Sequence, residues 1–247
     1  MGRLTDAIKH LLILNALFFV ATSLYGDQMY QWFSLWFPKN ENFGAWQVVS
    51  HMFMHGGFMH IAFNMYALWA FGTPLERMWG RNKFLFFYFS AGIGAALIHS
   101  GVNYFYFSEG LNALVDSGMS ETQVLEIISS GQYSPDWYNI ASKSTIDNFL
   151  SAYNTPAVGA SGAIYGVLVA FGMSYPNSEL FLIFLPVPIK AKYFIPVLIG
   201  LDLFSGVTGY SLFGQGIAHF AHIGGALFGF LMMWYWKKNQ FNGNRWN

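Results

Sequence analysis

Apolar residues in this chain run in long uncharged stretches, and the segments between them hold most of the charge. Six stretches, at about 11–25, 58–72, 84–107, 156–175, 193–210 and 217–236, approach the roughly 20 residues that a helix needs to cross a hydrocarbon core about 30 Å thick. The fifth contains Asp202 and the sixth contains His219 and His222. The pattern predicts an all-α, polytopic membrane protein with six transmembrane helices in a single domain over residues 1–247. The first stretch follows Arg3 and Lys9 and has the outline of a cleaved signal peptide. Ala21-Thr22-Ser23 is a poor cleavage site, however, and five further stretches follow, so it reads as a retained helix.

The polar connections orient this bundle. Ten of the twelve basic residues fall on one side: Arg3 and Lys9, then Arg77, Arg81 and Lys83, then Lys190 and Lys192, then Lys237, Lys238 and Arg245. Cytoplasmic loops carry the basic excess, so both termini are expected in the cytoplasm, with the bacterial inner membrane as the expected location. Glu76, past Pro74, is expected to tie the cytoplasmic turn to Arg77 or Arg81. The first outer loop carries Tyr30, Trp32, Phe33, Trp36 and Phe37, which suits a segment lying in the interface. An insertion at about 108–155 forms a long polar outer loop, where Ser120 and Gln123 have the spacing of a capping box for a short amphipathic helix through Val124, Leu125, Ile127 and Ile128.

Composition narrows the function. The chain is 54% apolar and 10% charged, against about a quarter charged in a soluble domain, which excludes an ordinary soluble enzyme. Twelve basic and twelve acidic residues leave no net charge and no global basic field, so nucleic acid is not an expected partner. Cysteine is absent, which removes disulfides, thiolate metal sites and a thiol nucleophile.

Polar side chains inside membrane spans are costly and therefore mark function. With the amino terminus inside, the second, fourth and sixth spans all begin at the outer face. His60 and Asn64, Ser161 about one turn into span four, and His222 then fall within roughly 10 Å of that boundary. His60 and Asn64 stand at i and i+4 on one face. Gly159, Gly162 and Gly166 on span four, and His222, Gly225 and Gly229 on span six, carry small residues at the spacing that lets membrane helices approach closely. A serine hydroxyl becomes nucleophilic when a base takes its proton, and His suits that role at neutral pH. An amide and an imidazole N–H are suitable donors for the charge that develops on an attacked carbonyl.

Gly159-Ala160-Ser161-Gly162 with Tyr165, Ala221-His222-Ile223-Gly224-Gly225 with Gly229, and His55-Gly56-Gly57-Phe58-Met59-His60 with Asn64 resemble the signatures of the rhomboid family of intramembrane serine proteases. The resemblance runs from about Trp46 to Trp236 and implies a rhomboid-like bundle with the six-helix core of bacterial members. It implies Ser161 as nucleophile and His222 as general base, a dyad with no Asp. His60, Asn64 and the Ser161 N–H would surround the oxyanion, and Tyr165 would pack on the catalytic imidazole, with Gly162 supporting. Membrane proteins would be the substrates, within the lipid bilayer, with no cofactor and no metal. Trp46 is followed by Gln47 where many rhomboids carry Arg, and the insertion is longer than the connection common in bacterial members. His51 and His55 are expected to bond the outer loop, and His219, i−3 from His222, to line the cavity. Asp202 is left with three readings: facing the cavity, capping a backbone break near Gly200, or pairing with the outer-loop polar layer. The glycines at 206, 209, 214 and 216 mark a loop that could gate access to the site. A silent relative would have lost Ser161 or His222; a channel would continue its polar layer to the inner face, where spans two, four and six become apolar.

Overall fold

A computed structural model describes residues 4–182, 185–210 and 218–239. Arg3, Arg245, the start of the sixth predicted span at Ile217, and the 211–217 part of the gating loop lie outside those residues. The chain is mostly helical. Helix α1 (Asp6–Tyr25) leads into α2 (Asp27–Phe33), and a short α3 (Gln47–Ser50) runs on through a 3-10 turn at His51–Phe53. Helix α4 (Phe58–Ala67) continues through a π-helical turn at Leu68–Gly72 into α5 (Thr73–Trp79). Pro74 explains the widening: it has no N–H for the preceding turn, and its ring would crowd the carbonyl four residues back.

Helix α6 (Arg81–Asp116) has 36 residues, about 54 Å at 1.5 Å per residue. It overruns the predicted third span at both ends. Its far end carries Phe107, Leu111 and Leu114 into a second buried cluster with α7 (Glu121–Ser129), α8 (Trp137–Ile140) and α9 (Lys143–Asn154). The stretch read from sequence as a polar loop is therefore helical, with Trp137, Ile146 and Phe149 at its centre. The capping box of Ser120 and Gln123 forms as the spacing predicts, and Val124 and Ile128 are buried beneath it.

Helix α10 (Ser161–Ser174) begins five residues later than the predicted fourth span, so Ser161 is its first residue and not one turn inside. Ahead of it the chain is extended. Leu35 and Ala157 exchange both backbone hydrogen bonds at 2.9 Å, and Gly159 donates to the His51 carbonyl at 2.9 Å. A hairpin of β1 (Glu179–Leu182) and β2 (Leu185–Lys190), unforeseen in the sequence, joins α10 to α11 (Ala191–Thr208); α12 (His219–Asn239) closes the order.

Among the described residues three helices, α1, α6 and α11, are long and apolar enough to cross a membrane, and α10 is apolar but shorter. The main core lies where α1, α4 to α6, α10 and α12 meet, with Ile8, Leu68, Phe84, Phe87 and Val167 fully buried. Glu76, also buried, accepts from the Thr5 hydroxyl and from the backbone amides of Ala7 and Ile8, at 2.7 and 3.0 Å. These bonds run to the first turn of α1, whose amides have no acceptor within their own helix.

Candidate active site

Two backbones touch beside the candidate nucleophile. A Cβ on Gly225 would stand 1.8 Å from the Gly162 carbonyl oxygen, and one on Gly229 would stand 2.6 Å from the Gly166 Cα. Only glycine permits that approach of α10 and α12. It brings Ser161 Oγ to 2.8 Å from His222 Nε2, a hydrogen bond between the two residues singled out for nucleophile and base. The Tyr165 ring lies on the imidazole, centroids 4.2 Å apart and planes 11° from parallel.

A carboxylate completes the surroundings of His222, where the resemblance implies none. Asp202 on α11 is buried, and its Oδ1 lies 3.1 Å from His222 Nδ1 and 2.5 Å from His219 Nδ1, while Oδ2 accepts from the Tyr165 hydroxyl. None of the three sequence readings of Asp202 described this. His219 turns to the same carboxylate and is not among the residues lining the cavity. Among the described residues Asp202, His219 and His222 also form a group whose potential metal-binding atoms lie within 4.8 Å of one another. Their mutual hydrogen bonds already give each of those atoms a partner.

The serine opens into a cavity of about 950 Å³ lined by His60, His99, Asn103, Thr155, Val158 and His222, among others. His60 Nδ1 accepts from the Gly56 amide at 3.3 Å, so in the neutral ring the proton sits on Nε2. That Nε2 and Ser161 Oγ lie 2.8 and 3.5 Å from the point where a Cβ on Gly159 would be built. Gly159 itself has φ +122, so a side chain there would be strained and would also strike the imidazole. Asn64 is buried one turn further along α4, and its amide nitrogen has no hydrogen-bond partner among the described residues.

His55 stacks edge-on against His60, centroids 5.0 Å apart, and its carbonyl accepts from Tyr30. His51 bonds the Gln47 carbonyl at 2.7 Å. Burial lowers both imidazoles to about 4, in His55 with help from the neighbouring His60. Gln47 is fully buried: its amide donates to the carbonyls of Asn42 at 2.7 Å and Gln31 at 3.0 Å, and its oxygen accepts from Trp36. A neutral side chain therefore fastens the segment between α2 and α3. Sequence reasoning also passed over His99. Its spacing to Asn103, to which it is hydrogen-bonded, repeats the i, i+4 of His60 and Asn64 and was the available signal.

A family model for the Rhomboid domain matches residues 42–121 and 139–239, well over half the chain. The chain belongs to the rhomboid family. With its candidate spans, this rhomboid is an integral membrane protein. It is 30% identical over 184 residues to the mitochondrial presenilin-associated rhomboid-like protein of Rattus norvegicus, covering 74% of this chain and 35% of that protein. It is 26% identical over 191 residues to the mitochondrial Rhomboid protein 1 of Saccharomyces cerevisiae, covering 77% and 42%. To Rhomboid protease AarA of Providencia stuartii it is 29% identical over 197 residues, covering 76% and 54%. The rhomboid spans about a third to a half of the length of these relatives.

Proposed function

We propose that this rhomboid is a serine endopeptidase that cleaves transmembrane segments of other membrane proteins near the outer membrane face. The observation that carries the reading is the 2.8 Å hydrogen bond from Ser161 Oγ to His222 Nε2, opening into the cavity. As Oγ attacks a peptide carbonyl carbon, its proton passes to Nε2. The oxyanion takes donors from His60 Nε2, the Asn64 amide and the Ser161 N–H, which the first turn of α10 leaves without an internal acceptor. Collapse breaks the C–N bond, the imidazolium gives its proton to the departing amine, and an acyl ester remains on Ser161. Water then adds to the ester, its proton again passing to His222, and the released serine recovers the hydrogen.

The reading includes a six-span, single-domain arrangement with the 108–155 insertion on the outer side. It also includes both termini in the cytoplasm of a bacterial cell, supported by the basic asymmetry and by likeness to a bacterial rhomboid protease. Substrate helices enter from the lipid past α11. The test is fluorophosphonate labelling of the purified protein together with cleavage of a transmembrane substrate in liposomes. Ser161 is the labelled serine, and Ser161→Ala and His222→Ala each abolish cleavage. Cleavage by purified Ser161→Ala overturns the mechanism.

A further inference from the structure

The catalytic imidazole has two nitrogens, and only one faces the serine. For Nε2 to accept the Ser161 proton it must be bare, so the ring proton must sit on Nδ1. A tautomer is fixed by what the other nitrogen meets. Here Nδ1 meets Asp202 Oδ1 at 3.1 Å, on a carboxylate only 2% exposed. An ionised carboxylate only accepts hydrogen bonds, so this contact selects the Nδ1–H form.

We propose that Asp202 is a positioning residue that converts the site from a dyad into a Ser161–His222–Asp202 triad, resting on the serine protease reading above. Two more observations support it. A buried carboxylate is costly unless its oxygens are hydrogen-bonded, and this one has three donors: His222 and His219 on Oδ1 and the Tyr165 hydroxyl on Oδ2. The same tyrosine stacks on the face of His222, so one residue of α10 braces both base and carboxylate. During attack the proton moves from Oγ to Nε2 and Nδ1 keeps its own. The resulting imidazolium is then paired with the Asp202 charge, and no proton passes to the carboxylate. Because Asp202 is carried by α11 and His222 by α12, the base is competent only while these helices hold their contact. The titratable groups around His222 are Asp202 on α11, His219 on α12, Tyr165 on α10, His60 on α4 and His99 on α6.

The experiment measures cleavage kinetics of Asp202→Asn and Asp202→Glu in liposomes beside the parent, Ser161→Ala and His222→Ala. Asp202→Asn is expected to lower kcat by about 10²- to 10⁴-fold with KM within about twofold. The pH dependence of its kcat/KM should also differ from the parent's, a change that loss of packing alone would not make. Asp202→Glu should recover part of kcat. A folded Asp202→Asn with the parental kcat and pH profile overturns the triad. If Asp202→Asn does not fold, the decision passes to ¹⁵N NMR of histidine-labelled parent protein, with the His222 signals identified by their loss in His222→Ala. An Nδ1–H tautomer supports the proposal and an Nε2–H tautomer overturns it. Cleavage by Ser161→Ala would instead overturn the protease reading, whereas inactive Ser161→Ala beside fully active Asp202→Asn removes the carboxylate's role alone.

Discussion

Gly225→Ala adds one methyl group where α10 and α12 touch. The new Cβ would lie 1.8 Å from the Gly162 carbonyl oxygen, with the Gly162 carbonyl carbon at 2.7 Å. Ordinary contact begins near 3.4 Å, so about 1.6 Å of separation must be found. Both obstacles are backbone, and no side chain can rotate away. If even half of that separation is transmitted one turn along to His222, the 2.8 Å link to Ser161 lengthens past 3.5 Å and ceases to be a hydrogen bond. A misplacement near 1 Å costs on the order of 10²-fold, so the fluorophosphonate labelling rate and kcat should both fall by at least about that much. Gly101→Ala on α6 is the control, since nothing stands within 4 Å of its Cβ; there the same change should leave the rate alone and raise stability by about 0.5 to 1 kcal/mol. Thermal unfolding in detergent separates lost geometry from lost fold. Parental labelling and an unchanged melting temperature in Gly225→Ala would refute the close-contact argument.

Asn64→Ala should keep the fold and weakened fluorophosphonate reactivity while losing about 10²- to 10³-fold in turnover, with His60→Ala milder; parental cleavage by Asn64→Ala beside an inactive His60→Ala would redraw the oxyanion site around His60. Glu76→Ala leaves two buried amides of α1 without their acceptor, at about 1 to 3 kcal/mol each; the melting temperature should drop while kcat of the folded fraction holds, and an unchanged melting temperature would refute the cap. His51 and His55 have folded pKa values near 4 against 6.5 unfolded, so the stability they lend is present above pH 6.5 and is lost as pH falls toward 4. That is on the order of 3 kcal/mol per histidine, and His51→Gln should flatten the fall in melting temperature over this window. Trp137→Ala should cost about 3 to 5 kcal/mol locally, raising protease sensitivity across 108–155 while Ser161 stays reactive; protection unchanged in that segment would refute a second core.

Ser161, His222 and the glycines could be read in advance because spacing alone puts them on facing stripes of helices. Asp202 could not be placed. One acidic residue in an apolar helix announces its cost but not its direction, since the rotation of α11 is set by packing that leaves no periodic trace. The start of α10 was misread because apolar continuity from Pro156 resembles a helix, whereas the left-handed Gly159 and the pairing of Ala157 with Leu35 keep that stretch extended. The hairpin Glu179–Lys190 was missed for a related reason: its apolar run is short, and its pairing depends on a partner strand and not on a helical face.

The Glu76 cap has a consequence for how the molecule is made. Helix α1 leaves the ribosome before α5, and the acceptor for its Ala7 amide is synthesised 69 residues later. Until then water or lipid headgroups must satisfy its first turn, and the helix is free to slide along its own axis. The arrival of α5 ends that freedom. Depth in the bilayer is thus assigned to α1 retrospectively, and a nascent chain halted before residue 76 would hold α1 at no single height.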